Sequence, residues 1–393
     1  MSQLLPPLRL TGADVLRNGE MQRRSVSIAC GMITSGAATE VDLRGYLLLP
    51  GIIDMHGDGF EHHLAPRPKA PFPMAAGLAA TDREAAAHGV TTAFLAQGWS
   101  WEGGRRSPDH AEALMLALQQ HRPHSLTDLR IQIRAETHLT GDAARLLAAV
   151  RRFGITYVIF NNHLDEGLQM SRSDSDGFAA WAYKAGVTGE SMLAQLQDAQ
   201  AQAHAVPRHL CQLAQAFDTL GVSYGSHDDP DGETREYFAM IGARIAEFPL
   251  TRKAAAAAHA MMDPVLMGAP NVVRGGSQSG NVAASGLIAD GLCDALVSDY
   301  YVPSLALAAW RLVDMGLLNL PRAWAMISSR PAEILRLADR GRLDHGQRAD
   351  LVVVNAETRA VEATICGGRL SYASGEGARR FICQPSVLPM AAE

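Results

Sequence analysis

Cysteine is scarce in this chain: five residues in 393, at positions 30, 211, 293, 366 and 383, with no CxxC pair and no close spacing. That pattern excludes a disulfide framework and reads as isolated thiols in a reducing compartment. No apolar run approaches the roughly 18 residues of a membrane span. The most monotonous piece, 254–258, is an alanine run before His259 and is expected inside a helix. The opening MSQLLPPLRLTGADV lacks a basic region followed by an apolar core, so no signal peptide is expected. Runs of basic residues are missing too, and the net charge is −6, which argues against a nucleic-acid partner. The expectation is a soluble, cytoplasmic protein with no nucleic-acid or membrane partner; self-association into a homo-oligomer stays open.

What is present is an ordinary enzyme composition, 47% hydrophobic and 19% charged, in a chain long enough for one large barrel and an accessory domain. Short apolar or β-branched runs alternate with helical patterns such as AEALMLALQQH and LALAAWRLVDMG. Eight strands are expected, at 46–56, 89–97, 129–138, 155–163, 221–227, 243–249, 264–271 and 293–301. With no glycine fingerprint near the start, this α/β rhythm fits a closed (β/α)8 TIM-like barrel better than an open doubly wound sheet. Strand-like pieces at both ends are expected to form a small β-sandwich domain, from 1–48 and 341–393, leaving 49–340 as the barrel. The connection from Asp165 to Leu220 is long, as lids at barrel mouths often are.

Metal-ligand residue types recur at the C-terminal ends of these strands: His56, Asp58, Glu136, His163, His227 and Asp299. Any one of the 14 histidines read alone is a surface or hydrogen-bonded residue, and a lone Asp after a strand is a helix cap. Strand ends of a barrel converge on one mouth, and clustered carboxylates repel one another unless a cation neutralises them. The joint pattern therefore points to a divalent metal centre of Zn, Mn or Fe, with two ions expected and Glu136 as the candidate bridge.

A second signal is NVVRGGSQSGNVAAS, after the seventh strand. Arg274, Gly275, Gly276, Ser277, Ser279 and Asn281 suit a phosphate-binding loop, with Ser279 or Asn281 capping the next helix; the alternative is a flexible turn with an ordinary cap. Arg67 and Lys69 in APRPK, and Lys184 beside Trp181 and Tyr183, are further candidates for a phosphorylated sugar substrate. Their alternatives are a solvated loop and a surface helix.

LLPGIIDMHGD resembles the first-strand signature PGxIDxHxH of the amidohydrolase superfamily, and GRLDHGQRADLVVVN with GGRLSY resembles its C-terminal β-sandwich return. HGDGFEHHLAPRP, SHDD, IAEFP, VLMGAPNVVRGGSQSGNVAAS and VSDYY are similar to its phosphonate-degrading branch, across nearly the whole chain. The resemblance implies a metal-activated water as nucleophile, Asp299 as the catalytic proton carrier, and release of pyrophosphate from α-D-ribose 1-methylphosphonate 5-triphosphate. Three positions depart from the commoner family pattern: Asp58 replaces a histidine, no lysine ends the fourth strand, and Glu247 ends the sixth where histidine is usual. Because one barrel hosts many chemistries, C–N bond hydrolysis is the second expectation and a catalytically inert binding protein the third.

Overall fold

Along Asp128–Glu136 the side chains alternate strictly, and the alternation shows how the barrel is built. Leu129, Ile131, Ile133 and Ala135 join the main apolar core with residues of the surrounding helices, such as Leu114, Met115 and Leu146. On the other face, Gln132, Arg134 and Glu136 reach the barrel interior, so one strand supplies both packing and polar chemistry.

The computed structural model describes residues 4–67 and 70–382. Eight parallel strands run in sequential order: β1 (Ile52–Gly57), β2 (Val90–Trp99), β3 (Asp128–Glu136), β4 (Tyr157–Asn161), β5 (Ser223–His227), β6 (Ile245–Glu247), β7 (Val265–Gly268) and β8 (Ala295–Val297). The sheet closes where Gly57 pairs with Asp299. There the Asp299 N–H donates to the His56 carbonyl at 3.0 Å, and the Asp58 N–H to the Asp299 carbonyl at 2.8 Å. Met55, Phe94, Tyr157, Ile159, Ile245, Leu266 and Val297 form a separate apolar cluster inside the strands, a filled interior as expected for a TIM-like barrel. The alanine run lies in helix Arg252–Ala260, started by Thr251, whose side chain accepts from the Ala254 N–H.

Two further sheets lie outside the barrel, one of four strands and one of six. They share a core in which Leu8, Val26 and Ile33 of the first meet Val15, Leu48, Leu351 and Val353 of the second. The strand expected over 46–56 is in fact two. Tyr46–Pro50 pairs antiparallel with Leu351–Asn355 in the six-stranded sheet, and the barrel begins only at Ile52. Gly51 makes the switch: a Cβ there would sit 2.3 Å from Thr91 Oγ1, so only glycine lets the chain pass. A continuous apolar run hides such a change of sheet because both halves are buried.

The long connection folds into helices Leu164–Ser173, Ser175–Ala185, Gly189–Ala201 and Val206–Leu220. The first three pack on one another through Leu164, Ala182, Met192 and Leu196, and against Trp101 in the loop after β2. No helix among the described residues is long and apolar enough to cross a membrane.

Candidate metal centre

The C-terminal ends of the barrel strands border a cleft of about 750 Å³. His56, Asp58, His163, His227 and Asp299 all line it, together with Asp228, Arg106 and Arg134. Glu136 does not; it borders a small enclosed pocket with Glu102, Arg106, Arg134 and His163. Four of the six expected ligands fall into two separate groups, His56 with His227 and Glu136 with His163, while Asp58 and Asp299 belong to neither.

In the first group His56, His227 and Glu247 bring their ligand atoms within 4.8 Å of one another. His56 is 1% exposed and Glu247 fully buried, with His56 Nδ1 2.8 Å from Glu247 Oε2. Glu247 Oε1 also accepts from the Gln132 amide at 2.7 Å and from the Tyr157 hydroxyl. Burial alone would raise the Glu247 carboxyl; His56, then His227 and the Tyr157 hydroxyl, outweigh it and hold it below its usual range. Burial likewise presses His56 down, but Glu247 wins and leaves it raised. His227 goes the other way, lowered first by burial and then by Arg134 and His56 against the pull of Asp228. Its ring nitrogens are buried and make no hydrogen bond; Asp228 Oδ2 lies 2.8 Å from Nδ1 but out of line for one. Phe248 packs edge-on against both imidazoles, at centroid distances of 5.1 and 5.0 Å.

An imidazole whose buried Nε2 has no partner, beside a second imidazole and a carboxylate, is a donor set that fits a divalent cation. Asp58 and Asp299 flank it. Burial and then the charge of Asp58 push Asp299 up to about 6, against the pull of His56 and Arg134. Asp299 sits at φ 54°, as Asp228 does at 59° and Phe248 at 51°, so three strands turn sharply as they reach the mouth. Beneath them Asp54 accepts from the N–H and hydroxyl of Ser298 at 2.9 and 2.6 Å, pinning β1 to the end of β8.

The second group is Glu102, Glu136 and His163. His163 Nδ1 contacts Glu136 Oε1 closely and lies 3.3 Å from Glu102 Oε1. Glu102 is paired with Arg106 at 2.9 Å and accepts from the Trp181 indole at 2.8 Å, tying the helical insertion to the mouth. Burial would raise Glu102, but the hydrogen bond from His163 and the charge of Arg106 pull it to about 2. Burial opposes protonation of His163 as well; Glu136 and Glu102 nevertheless lift it to about 9. This group is balanced internally: two carboxylates face one guanidinium and one imidazolium. In the first group His56 and Glu247 balance each other, and the further negative charge of the cleft comes from Asp58, Asp228 and Asp299 beside them.

Of the expected phosphate ligands, Arg274, Gly276, Ser277, Ser279 and Asn281 line the cleft. Arg274 Nη1 donates to the Tyr300 hydroxyl at 3.2 Å and to Gln278 Oε1 at 3.3 Å. Gly275, Arg67 and Lys184 are exposed and do not line it, and Lys69 lies outside the described residues. Gly275 instead ends helix Ala269–Arg274 in the left-handed conformation. The expected cap is also corrected. The next helix, Ala284–Ala289, begins beyond Ser279 and Asn281, and Asn271 Oδ1 accepts its first N–H at 3.0 Å.

Glu247, the carboxylate that ends β6, lies outside the six expected ligands yet is the residue that meets His56. Glu102 follows the end of β2, where the same strand-end rule would have found it. Arg134 lies two residues before Glu136, and the β-strand period places both on one face.

Residues 60–372 match the model of the amidohydrolase family. The alpha-D-ribose 1-methylphosphonate 5-triphosphate diphosphatase of Escherichia coli (strain K12) is 32% identical over 359 residues, covering 88% of this chain and 91% of that one. Among solved structures, the beta-aspartyl dipeptidase of Fervidobacterium islandicum AW-1 superposes with a TM-score of 0.65 at 15% identity, over 94% of this chain and 98% of that one. The dihydropyrimidinase of Brevibacillus agri NCHU1002 gives a TM-score of 0.57 at 13% identity, over 95% and 97%. These last two bear on the fold alone.

Proposed function

The chain belongs to the amidohydrolase family, and we propose that it is a metal-dependent hydrolase releasing pyrophosphate from α-D-ribose 1-methylphosphonate 5-triphosphate. One observation carries the reading: a metal-suited donor set and a glycine- and serine-rich loop bearing Arg274 open onto the same cleft. The similarity to the diphosphatase over most of both chains supports the substrate.

His56 and His227 would hold a divalent cation, with Glu247 orienting the His56 ring through Nδ1 and Asp58 and Asp299 beside it. Such an ion, Zn, Mn or Fe, supplies Lewis acidity toward a phosphoryl oxygen and acidifies water. Asp299 takes the proton of the attacking water on its carboxylate, which must be ionised for that step, and returns it to the departing group. Arg274, with the Tyr300 hydroxyl, receives phosphate oxygens at the rim. Glu136, His163 and Glu102 would hold a second ion by exchanging their present ion pairs for it.

Phosphorus NMR of the metal-loaded enzyme with the ribose 5-triphosphate tests the reading. Pyrophosphate and the 5-monophosphate should appear together. Release of ammonia or a carboxylic acid from C–N substrates, with the triphosphate left intact, would replace this function by amide or amidine hydrolysis.

A further inference from the structure

The Arg134 guanidinium has bonding capacity that the fold leaves unused. Its side chain is 13% exposed, and Nη1 lies 3.8 Å from Asp58 Oδ2, beyond hydrogen-bond range. Only Nε is engaged, donating to Asn161 Oδ1 at 3.3 Å. Among the described residues no other partner takes its N–H groups, although a guanidinium offers five donors in a fork matched to oxyanions. Its nitrogens are not among the sealed-off orphan atoms of the interior, and the residue borders both the main cleft and the small pocket beside Glu136. Arg106, by contrast, is committed to Glu102, and Arg235 is wrapped by Ser226, Asp229 and backbone carbonyls.

Asp58, Asp228 and Asp299 line the same cleft. A polyanion entering it meets their repulsion unless a fixed cation stands among them. We infer that Arg134 is an inner oxyanion subsite, taking phosphoryl oxygens of a di- or triphosphate on the cleft floor while Arg274 holds the outer end. This rests on the reading of the cleft as a site for phosphorylated substrates. Arg134 accordingly sets specificity for phosphoanhydrides over uncharged substrates of the same size.

The test uses full-length, metal-loaded wild type, Arg134→Met and Arg134→Lys. Metal content is measured by plasma mass spectrometry, pyrophosphate binding by calorimetry, and triphosphate cleavage by phosphorus NMR. Arg134→Met should retain its metal and bind pyrophosphate at least tenfold more weakly, with Arg134→Lys between it and wild type. The inference is overturned if wild type shows no pyrophosphate binding, if Arg134→Met with full metal binds as wild type does, or if both variants lose metal in step with affinity. Wild type that binds pyrophosphate through Arg134 yet leaves the triphosphate uncut ends the hydrolysis reading and keeps the subsite. Cleavage with unchanged KM in Arg134→Met ends the subsite and keeps the hydrolysis.

Discussion

His56 Nδ1 meets Glu247 Oε2 at 2.8 Å inside the barrel, across a separation of 191 residues in sequence. A carboxylate partner on one ring nitrogen fixes the tautomer and leaves the other nitrogen its lone pair, which is what a metal ligand needs. Glu247→Gln keeps the shape but removes the charge, and should weaken metal affinity by roughly 10- to 100-fold. Competition with a graded series of chelators measures it. His227→Ala should lose the ion altogether under the same conditions, and full metal retention in both variants would remove the first group from the centre.

Asp299→Asn should keep its metal and lose about 10²- to 10⁴-fold in kcat, the usual range for removal of a general base. Asparagine tolerates the left-handed backbone found at this position, so the fold should survive. Turnover within threefold of wild type, with metal content matched, would rule out proton transfer by Asp299.

The same substitution has a signed effect on the metal-free protein. A carboxyl lifted to about 6 in the folded chain binds its proton more tightly there than when unfolded, so its contribution favours folding at low pH. That contribution is complete below the unfolded value of about 4 and lost as pH rises to about 6. Metal-free Asp299→Asn should therefore match wild type relative to this maximum at acid pH and exceed it above pH 6, by at most about 3 kcal/mol. Urea unfolding at a series of pH values with chelator present shows the divergence or its absence.

Arg274→Ala should raise KM for the ribose triphosphate by roughly 10- to 150-fold, the loss of one charge-assisted contact worth about 1.5–3 kcal/mol. An uncharged substrate of the cleft should be far less affected. Equal losses on both would mean that Arg274 only supports its loop.

Arg235 is fully buried, with Asp229 Oδ2 at 3.3 Å and Asp263 Oδ2 at 3.6 Å. Arg235→Ala leaves buried Asp229 with no cationic partner and Asp263 with only the exposed Arg244, and should cost about 3–5 kcal/mol in chemical unfolding. Removing Asp263 as well should recover part of the loss, since one of the buried carboxylates is then gone.

The barrel was legible because its strands are short apolar runs ending in polar residues, a pattern that local sequence preserves. His56, His227 and Asp299 were legible for the same reason, each standing at a strand terminus. The separation of Glu136 and His163 from His56 and His227 was not, because Glu136 pairs with His163 through side-chain reach that spacing does not encode. Glu247 is legible as the carboxylate ending the sixth strand, but its contact with His56 depends on a partner 191 residues away. The Gly51 switch was masked by an unbroken hydrophobic run, since the residues on either side are buried in different sheets. Lys184 and Arg67 illustrate the opposite error: a basic residue near an aromatic or proline carries no information about which way it faces.

The seam between β1 and β8 governs when this protein can begin to work. His56 and Asp58 are made early by the ribosome, whereas Asp299, which closes on both through backbone hydrogen bonds, comes more than 240 residues later (299 − 58 = 241). Tyr46–Pro50 waits longer still for its partner strand Leu351–Asn355. Contacts so distant in sequence form slowly, because loop closure must precede any gain from them. A chain that stops before residue 299 lacks the residue that closes on Gly57, and so holds neither the closed ring nor the complete lining of the cleft.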